Sequence, residues 1–267
     1  MFSTDGLLSW KHHGCGPHVF SVPENWDQLD TNIHLISTIV VTKKYVYSRL
    51  GTKTVLWINP RTVTHHIGTN RPVIRPVDNI IKNLLLPAPS LAKTVRKKIH
   101  NYDPFVIPRF FFKKPRKISS LKKFKLIEDL AENRNDLEQS KWFHALLQEI
   151  KTRGFAKHKT IIMRNHEDVL SFFSSYILKL IASMEAQGYL PQKTKDAGTA
   201  IIGPDGEIYK SSAGNHRFFT AAIIGTSKIP LQVAGVHQQW YRLQLMKHKD
   251  QTKAIQAGLM ESEKKHQ

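Results

Sequence analysis

The stretch SSAGNHRFFTAAIIG, residues 211–225, places an imidazole and a guanidinium side by side directly after a glycine. Apolar residues follow at helical spacing, so the stretch predicts a helix that begins near Gly214. The first turn of a helix carries unpaired N–H groups and a partial positive charge, and it binds anions for that reason. His216 adds a titratable donor, and Arg217 adds a fork that can hold two phosphate oxygens. These residues predict a phosphate-binding corner; alternatively, His216 caps the helix and Arg217 pairs with a surface acid.

The elements around this corner are predicted to be short strands and helices. A Pro-Asp-Gly turn joins two β-rich segments, so residues 199–212 are predicted to form a hairpin. IPLQVAGV then predicts a strand, and HQQWYRLQLMKHK predicts a helix. His237 stands between them, just past the carboxyl end of a strand, where α/β folds commonly place ligands. Alternatively, His237 simply begins the last helix.

Three helices and a short strand are predicted before the hairpin. Apolar spacing indicates helices over residues 121–134 and 136–154, the second with Asp136 as its N-cap. KTIIM, residues 159–163, predicts a strand. The clearest helix covers residues 165–188, begins at an asparagine followed by two acids, and ends at a glycine.

The order of these parts resembles the ParB/sulfiredoxin superfamily. Its members share an Asp-Gly turn after a strand, a Gly-x-His-Arg or Gly-x-x-Arg box that opens a helix, and a Pro-led strand, as in IGPDGEIYKSSAGNHRFFTAAIIGTSKIPLQV here. The resemblance covers the last third of the chain and implies an α+β fold, with a small mixed sheet packed by helices. It also implies that the box binds the phosphates of ATP or another nucleoside phosphate, together with Mg²⁺. The cofactor-binding residues implied are Gly214, Asn215, His216 and Arg217, assisted by Gln192, Lys193 and Lys195.

Departures from the family pattern exclude some of its activities. Sulfiredoxins need a cysteine just before the His-Arg pair, where this chain has Gly214 and Asn215. ParB partition proteins carry a glutamate in place of Asn215 and a downstream helix-turn-helix, which this sequence lacks. Many members have an acid in place of Ala213, and its absence makes a non-catalytic adaptor a further alternative. A second likeness, which includes His237 and Trp240 as H-x-x-W, is to uncharacterised ParB-like proteins found near surface-glycan genes.

The resemblance predicts an ATP-dependent phosphotransferase, or kinase, that acts on a polar or glycan-like substrate. Its catalytic residues would be His216, Arg217 and His237. The alternative is a ParB-like protein or nuclease that binds DNA or RNA.

The chain is strongly basic, with a formal net charge of +19 in 267 residues. Such a charge favours polyanionic partners without choosing between nucleic acid and an anionic glycolipid or membrane surface. One segment interleaves a Phe-Phe-Phe run, residues 110–112, with cations, as single-stranded nucleic acid or an anionic membrane would require. Alternatively, the phenylalanines pack and the cations are only solvated. The cations are Arg109, Lys113, Lys114, Arg116, Lys117, Lys122, Lys123 and Lys125.

The remaining sequence predicts three regions: a β-containing N-terminal extension with a basic connector (residues 1–117), the ParB-like domain (118–250) and a fraying polar tail (251–267). Residues 34–47 and 53–58 are predicted to be paired strands, and residues 90–102 a basic helix. HHGCGPH holds His12, His13, Cys15 and His18 at a spacing that fits no zinc pattern. These residues are therefore predicted to belong to a terminal loop and not to a zinc site. No secretory signal and no transmembrane helix are predicted, and the expected location is cytoplasmic, with contact to a membrane surface as an option.

Overall fold

The protein has a mixed α/β fold in which helices pack against one mixed sheet. The computed structural model describes residues 41–68, 84, 87–100, 102–158, 160–190 and 197–267. The seven-stranded sheet has the order β1-β9-β7-β8-β2-β4, with β3 also paired to β9, and β5 and β6 form a separate pair. The strands are β1 (Val55–Ile58), β2 (His65–His66), β3 (Val106–Ile107), β4 (Arg116–Lys117), β5 (Ala156–His158), β6 (Ile161–Met163), β7 (Gly198–Ile202), β8 (Ile208–Lys210) and β9 (Ile229–His237).

The helices begin and end where the sequence offers caps. The Asn165 side chain accepts a hydrogen bond from the Asp168 N–H at the start of α5, and Gly154, in the left-handed region, ends α4. A π-helical turn, Phe173–Leu178, joins α5 to α6. The helices are α1 (Lys43–Leu50), α2 (Pro89–His100), α3 (Lys122–Glu132), α4 (Lys141–Arg153), α5 (His166–Phe172), α6 (Lys179–Gln187), α7 (Asn215–Ile224), α8 (Gln238–Lys247) and α9 (Gln251–Lys265).

The two faces of the sheet differ in how they are covered. The main core packs α3 to α7 against one face, where Ile202 and Ile208 are buried. On the other face, a smaller cluster brings Phe111 and Phe112 against residues that include Ile201. Because successive strand residues point to opposite faces, the hairpin β7–β8 contributes to both clusters.

One helical stretch, His166–Gln187, is long and apolar enough to cross a membrane by length and composition. The sequence had predicted no such stretch. Core helices of soluble proteins pass the same test, and Phe172, Phe173 and Ile177 of this stretch lie in the main core.

The second half of the chain follows the sequence prediction closely. The helices α3 to α8 and the strands β6 to β9 all fall within the predicted segments to within one residue, and β7 and β8 form the predicted hairpin, with Ala200 opposite Lys210. One cap differs from the prediction: Ser140, rather than Asp136, accepts hydrogen bonds from the first N–H groups of α4. Asp136 instead precedes a short 3-10 turn, Leu137–Gln139.

The first half departs from the prediction in its pairing. Residues 43–47, predicted to continue a strand, lie in α1, because Thr42 caps a helix there; residues 34–40 lie outside the described residues. The strand β1 exists but pairs with β9, not in a hairpin. Predicted helix 90–102 is present as α2. β1 and β3 pair with β9, and β2 pairs with β8, so one sheet spans the predicted boundary at residues 117 and 118.

The predicted fraying tail is a helix. Asp250 caps α9 through its side chain, and Ala254, Ile255 and Leu259 are buried along one side. The buried His266 ring then contacts Glu207, so the end of the chain is held against the hairpin. The charged residues that suggested a disordered tail lie on the outer side of this amphipathic helix.

Candidate anion-binding site

The predicted phosphate corner is an exposed turn between β8 and α7. Gly214 adopts φ +73° and ψ +25°, in the left-handed region, and its side-chain-free Cα lies close to the Gly198 backbone. A Cβ at Gly214 would meet the Gly198 Cα at 2.6 Å. Asn215 follows in the helical region, and a left-handed residue before a right-handed one turns successive N–H groups into a concave nest for anions. Among the described residues, no side-chain capping hydrogen bond is present at the N-terminus of α7.

A buried lysine lies beneath this turn. Lys210, at the end of β8, is 0% exposed, and its ammonium group donates to four neutral oxygens. They are the carbonyls of Thr199 (3.3 Å), Ser211 and Ala213, and Asn215 Oδ1 (3.0 Å). The ammonium therefore fixes both ends of the turn.

The lysine also determines which way the peptide groups of the turn face. In a trans peptide, the C=O and the following N–H point in opposite directions. Since the Ser211 and Ala213 carbonyls face Lys210, the N–H groups of Ser212 and Gly214 face away from it, towards the exposed side of the turn. Together with the first turn of α7, they give this surface a row of outward N–H groups.

The charge of Lys210 lacks a described counter-charge. No described carboxylate is among its partners, and burial lowers the pKa of its amine to about 7. A desolvated ammonium beside neutral dipoles is unfavourable unless a negative charge approaches it. The arrangement therefore favours an anion on the open side of the turn.

His216 faces the interior and not the mouth of the turn. Its ring is buried, at 7% exposure, and its Nδ1 lies 3.1 Å from the Tyr176 hydroxyl in the π-helical turn. The His158 ring stacks on it at 5.1 Å between centroids. Arg217, in contrast, is exposed on the first turn of α7. Of the predicted pair, Arg217 is thus the residue at an exposed position.

The structure separates His237 from the turn. Ala213 accepts a hydrogen bond from Thr199, and Thr199 is opposite Gln232 on β9. His237 is five residues further along β9, or about 16 Å along the strand. The predicted catalytic set of His216, Arg217 and His237 is therefore divided between two ends of the sheet.

At its own end of the sheet, His237 has a capping role. Its Nδ1 accepts a hydrogen bond from the Gln239 N–H at 3.1 Å, so the residue caps α8, as the alternative reading predicted. The Phe112 ring lies edge-on at 4.6 Å. Burial, and then the nearby Arg109 charge, lower the pKa of His237, against an opposing effect of Asp205.

The other predicted site residues divide into two groups. Gln192, Lys193 and Lys195 lie outside the described residues, as does the His-Cys cluster near residue 15. Two of the acidic side chains have other partners: Glu185 pairs with Arg134, and Asp168 accepts from the Arg164 N–H. Within the described ranges, no group of three His, Cys, Asp or Glu side chains is arranged to hold a metal ion.

Sequence reasoning missed Lys210, the residue on which the turn depends. The signal was present in its position: Lys210 alternates with Tyr209 and follows Ile208 in a strand, which places its side chain on the core face with Ile208. A lysine at a core position next to a glycine-containing turn predicts an internal cation that organises the backbone.

No protein-family model, no curated protein and no solved structure matches this chain. The function is therefore inferred from the chain's own residues.

Proposed function

We propose that the protein binds a nucleoside phosphate at the turn formed by residues 211–217. The observation that carries this proposal is the buried Lys210 ammonium, whose partners among the described residues are all neutral oxygens beneath an exposed row of N–H groups. An anion on the outer side would be stabilised by the turn, by the start of α7 and by this internal charge together.

In this proposal the predicted residues have different binding roles. Gly214 permits the sharp turn, and Asn215 connects the turn to Lys210 through its side-chain oxygen. Arg217 would add a bidentate grip on a phosphate from the exposed first turn of α7. His216 supports this frame from inside, through its contacts with Tyr176 and His158.

The activity class proposed for this site is ATP-dependent phosphoryl transfer by a ParB/sulfiredoxin-like domain, as the sequence resemblance implies. When bound, the nucleotide supplies the transferable phosphoryl group, and Mg²⁺ neutralises its charge. In such sites Mg²⁺ is usually held by substrate phosphates and one or two carboxylates, so a dedicated protein cage is not required. Lys210 would hold the turn in place without touching the reacting atoms, because it is fully buried.

The test is a screen of ATP, ADP, CTP and GTP by calorimetry and thermal shift, with and without Mg²⁺. The wild-type protein should bind at least one nucleotide, and Arg217→Ala should weaken that binding at least tenfold. Arg153→Ala is the matched control, since Arg153 is an exposed arginine at the far end of a different helix. Failure of the wild-type protein to bind any nucleotide, or equal losses in both variants, would contradict the proposal.

A further inference from the structure

The second face of the sheet carries a basic strap, defined as residues 109–117. The strap leaves β3, which pairs with β9, and enters β4, which pairs with β2 at the far edge. From β3 to β4 the sheet order crosses five strand spacings, a width of about 24 Å. The strap therefore runs across the strands and not along them.

The side chains of the strap have two different environments. Phe111 and Phe112 pack down onto Ile67, Ile107, Ile201 and Tyr209 and fix the strap to the sheet. Four exposed cations lie along the strap on this side of the sheet, and none of them forms an ion pair with any residue of the described ranges: Arg109, Lys113, Lys114 and Lys117. Arg116 is opposite His66, which is opposite Lys210, so Arg116 lies on the other face of the sheet.

An aromatic ring stands among these cations. Phe110 is 59% exposed, and its ring rests on that of Phe111 with 4.1 Å between centroids. Phe111 is itself packed in the small cluster and so supports the exposed Phe110 ring. A supported, exposed ring is a platform on which an unpaired base stacks.

The exposed cations of the strap extend across the sheet. Arg109 lies next to β3 at one end, where burial and then the Arg109 charge lower the pKa of His237. Lys117 lies in β4 at the other end, opposite His65, whose ring contacts Tyr209 on the strap's face of the sheet. A linear polyanion would find cations over the whole width of the sheet.

We propose that the outer side of the strap binds single-stranded nucleic acid, with its cations on the phosphates and Phe110 against a base. A membrane surface is the less suitable partner, because two of the three phenylalanines are turned into the sheet and leave little apolar surface to enter lipid. A duplex is also less suitable, because its stacked bases cannot reach Phe110. This surface is separate from the turn at residues 211–217 and does not depend on nucleotide binding there.

The test uses the full chain and a labelled oligothymidine of about 20 nucleotides, long enough to cover the site sizes of such proteins. Fluorescence anisotropy gives the dissociation constant over a salt series. The variant Arg109→Ala/Lys113→Ala/Lys114→Ala/Lys117→Ala should bind at least tenfold more weakly at low salt. Loss of four phosphate contacts should reduce the salt slope by about 3, since each contact on a single strand contributes about 0.7.

The matched control removes the same total charge elsewhere. Lys151→Ala/Lys179→Ala/Lys228→Ala/Lys249→Ala changes four exposed lysines that lie away from the strap, and it should keep the wild-type affinity within about twofold. Phe110→Ala should weaken binding about fivefold to a hundredfold, the range of one stacked base, and Phe110→Leu should not restore it. Thermal unfolding of each variant establishes that it is folded.

Three results would overturn the proposal. The first is equal loss of affinity in the strap variant and in its charge-matched control. The second is binding to vesicles of phosphatidylserine and phosphatidylcholine without binding to the oligonucleotide. The third is tighter binding to a duplex of the same sequence than to the single strand.

Discussion

The turn at residues 211–217 and the strap at residues 109–117 place positive charge in opposite ways. In the turn, one ammonium is fully buried beneath exposed backbone, and in the strap, four exposed cations lie over partly buried phenylalanine rings. A buried charge feels a low dielectric and responds to protonation and to a single nearby anion. Exposed charges are screened and act together on an extended polyanion.

Because of this difference, binding at the two sites should respond to different solution conditions. Binding at the turn should depend on pH through Lys210, whereas binding at the strap should depend on salt through counterion release. The two sites can therefore be distinguished in one protein without separating its parts.

The largest effect is expected from Gly214→Ala. Alanine in the left-handed region costs about 1–2 kcal/mol, and here the new Cβ would also press on the Gly198 backbone. We expect the free energy of unfolding in urea to fall by about 2–4 kcal/mol and nucleotide binding to be lost.

Gly154→Ala is the control for backbone conformation. Gly154 has φ +78°, but a Cβ there meets no atom within 4 Å. Its cost should stay near about 1–2 kcal/mol, with nucleotide and oligonucleotide binding unchanged. Equal costs at the two glycines would show that the close approach to Gly198 does not constrain the turn.

A second effect is expected in the pH dependence of stability. The unfolded chain binds a proton at Lys210 up to its ordinary pKa of 10.5, but the folded protein only up to about 7. Between these values the unfolded state holds more protons, so the free energy of unfolding contributed by this residue rises with pH. Urea unfolding from about pH 7 to 10 should show this rise in the wild-type protein relative to Lys210→Met. Parallel pH profiles for the two proteins would contradict the buried-ammonium account.

The smallest effect is expected from Tyr176→Phe. This change removes the hydroxyl next to His216 Nδ1 and should reduce the free energy of unfolding by about 1 kcal/mol. Because His216 faces the interior, we expect nucleotide affinity to change by less than about threefold, as judged by calorimetry. A loss as large as that of Arg217→Ala would instead place His216 and Tyr176 in direct contact with the ligand.

The sequence predicted the elements of the second half because each carried a local signal. The Pro-Asp-Gly turn specifies the β7–β8 hairpin, and Asn165 and Gly188 bound the long helical stretch. The first half could not be predicted in the same way. β1 and β2 obtain their partners from β9 and β8, more than a hundred residues away, and no local pattern specifies such pairing.

Only part of the candidate site was predicted, because only part of it carries local signals in the sequence. Glycine and arginine at a helix start are local signals, and the exposed turn with Arg217 is where they indicated. His237 could not be excluded from the site by sequence, because only the register of β7 on β9 establishes its distance. Lys210 was missed because its role follows from burial, which depends on the packing of the whole sheet.

The central claim is that an anion on the turn stabilises the charge of Lys210. Calorimetric titration with ATP at about pH 8, in two buffers of different ionisation enthalpy, measures the protons taken up on binding. The phosphate groups, which titrate near pH 6, have already lost their protons at pH 8, so proton uptake on binding comes from the protein. The account predicts an uptake of up to about one proton per ATP in the wild-type protein and none in Lys210→Met, with affinity falling as pH rises above about 7. Binding without proton uptake, or the same uptake in Lys210→Met, would contradict it.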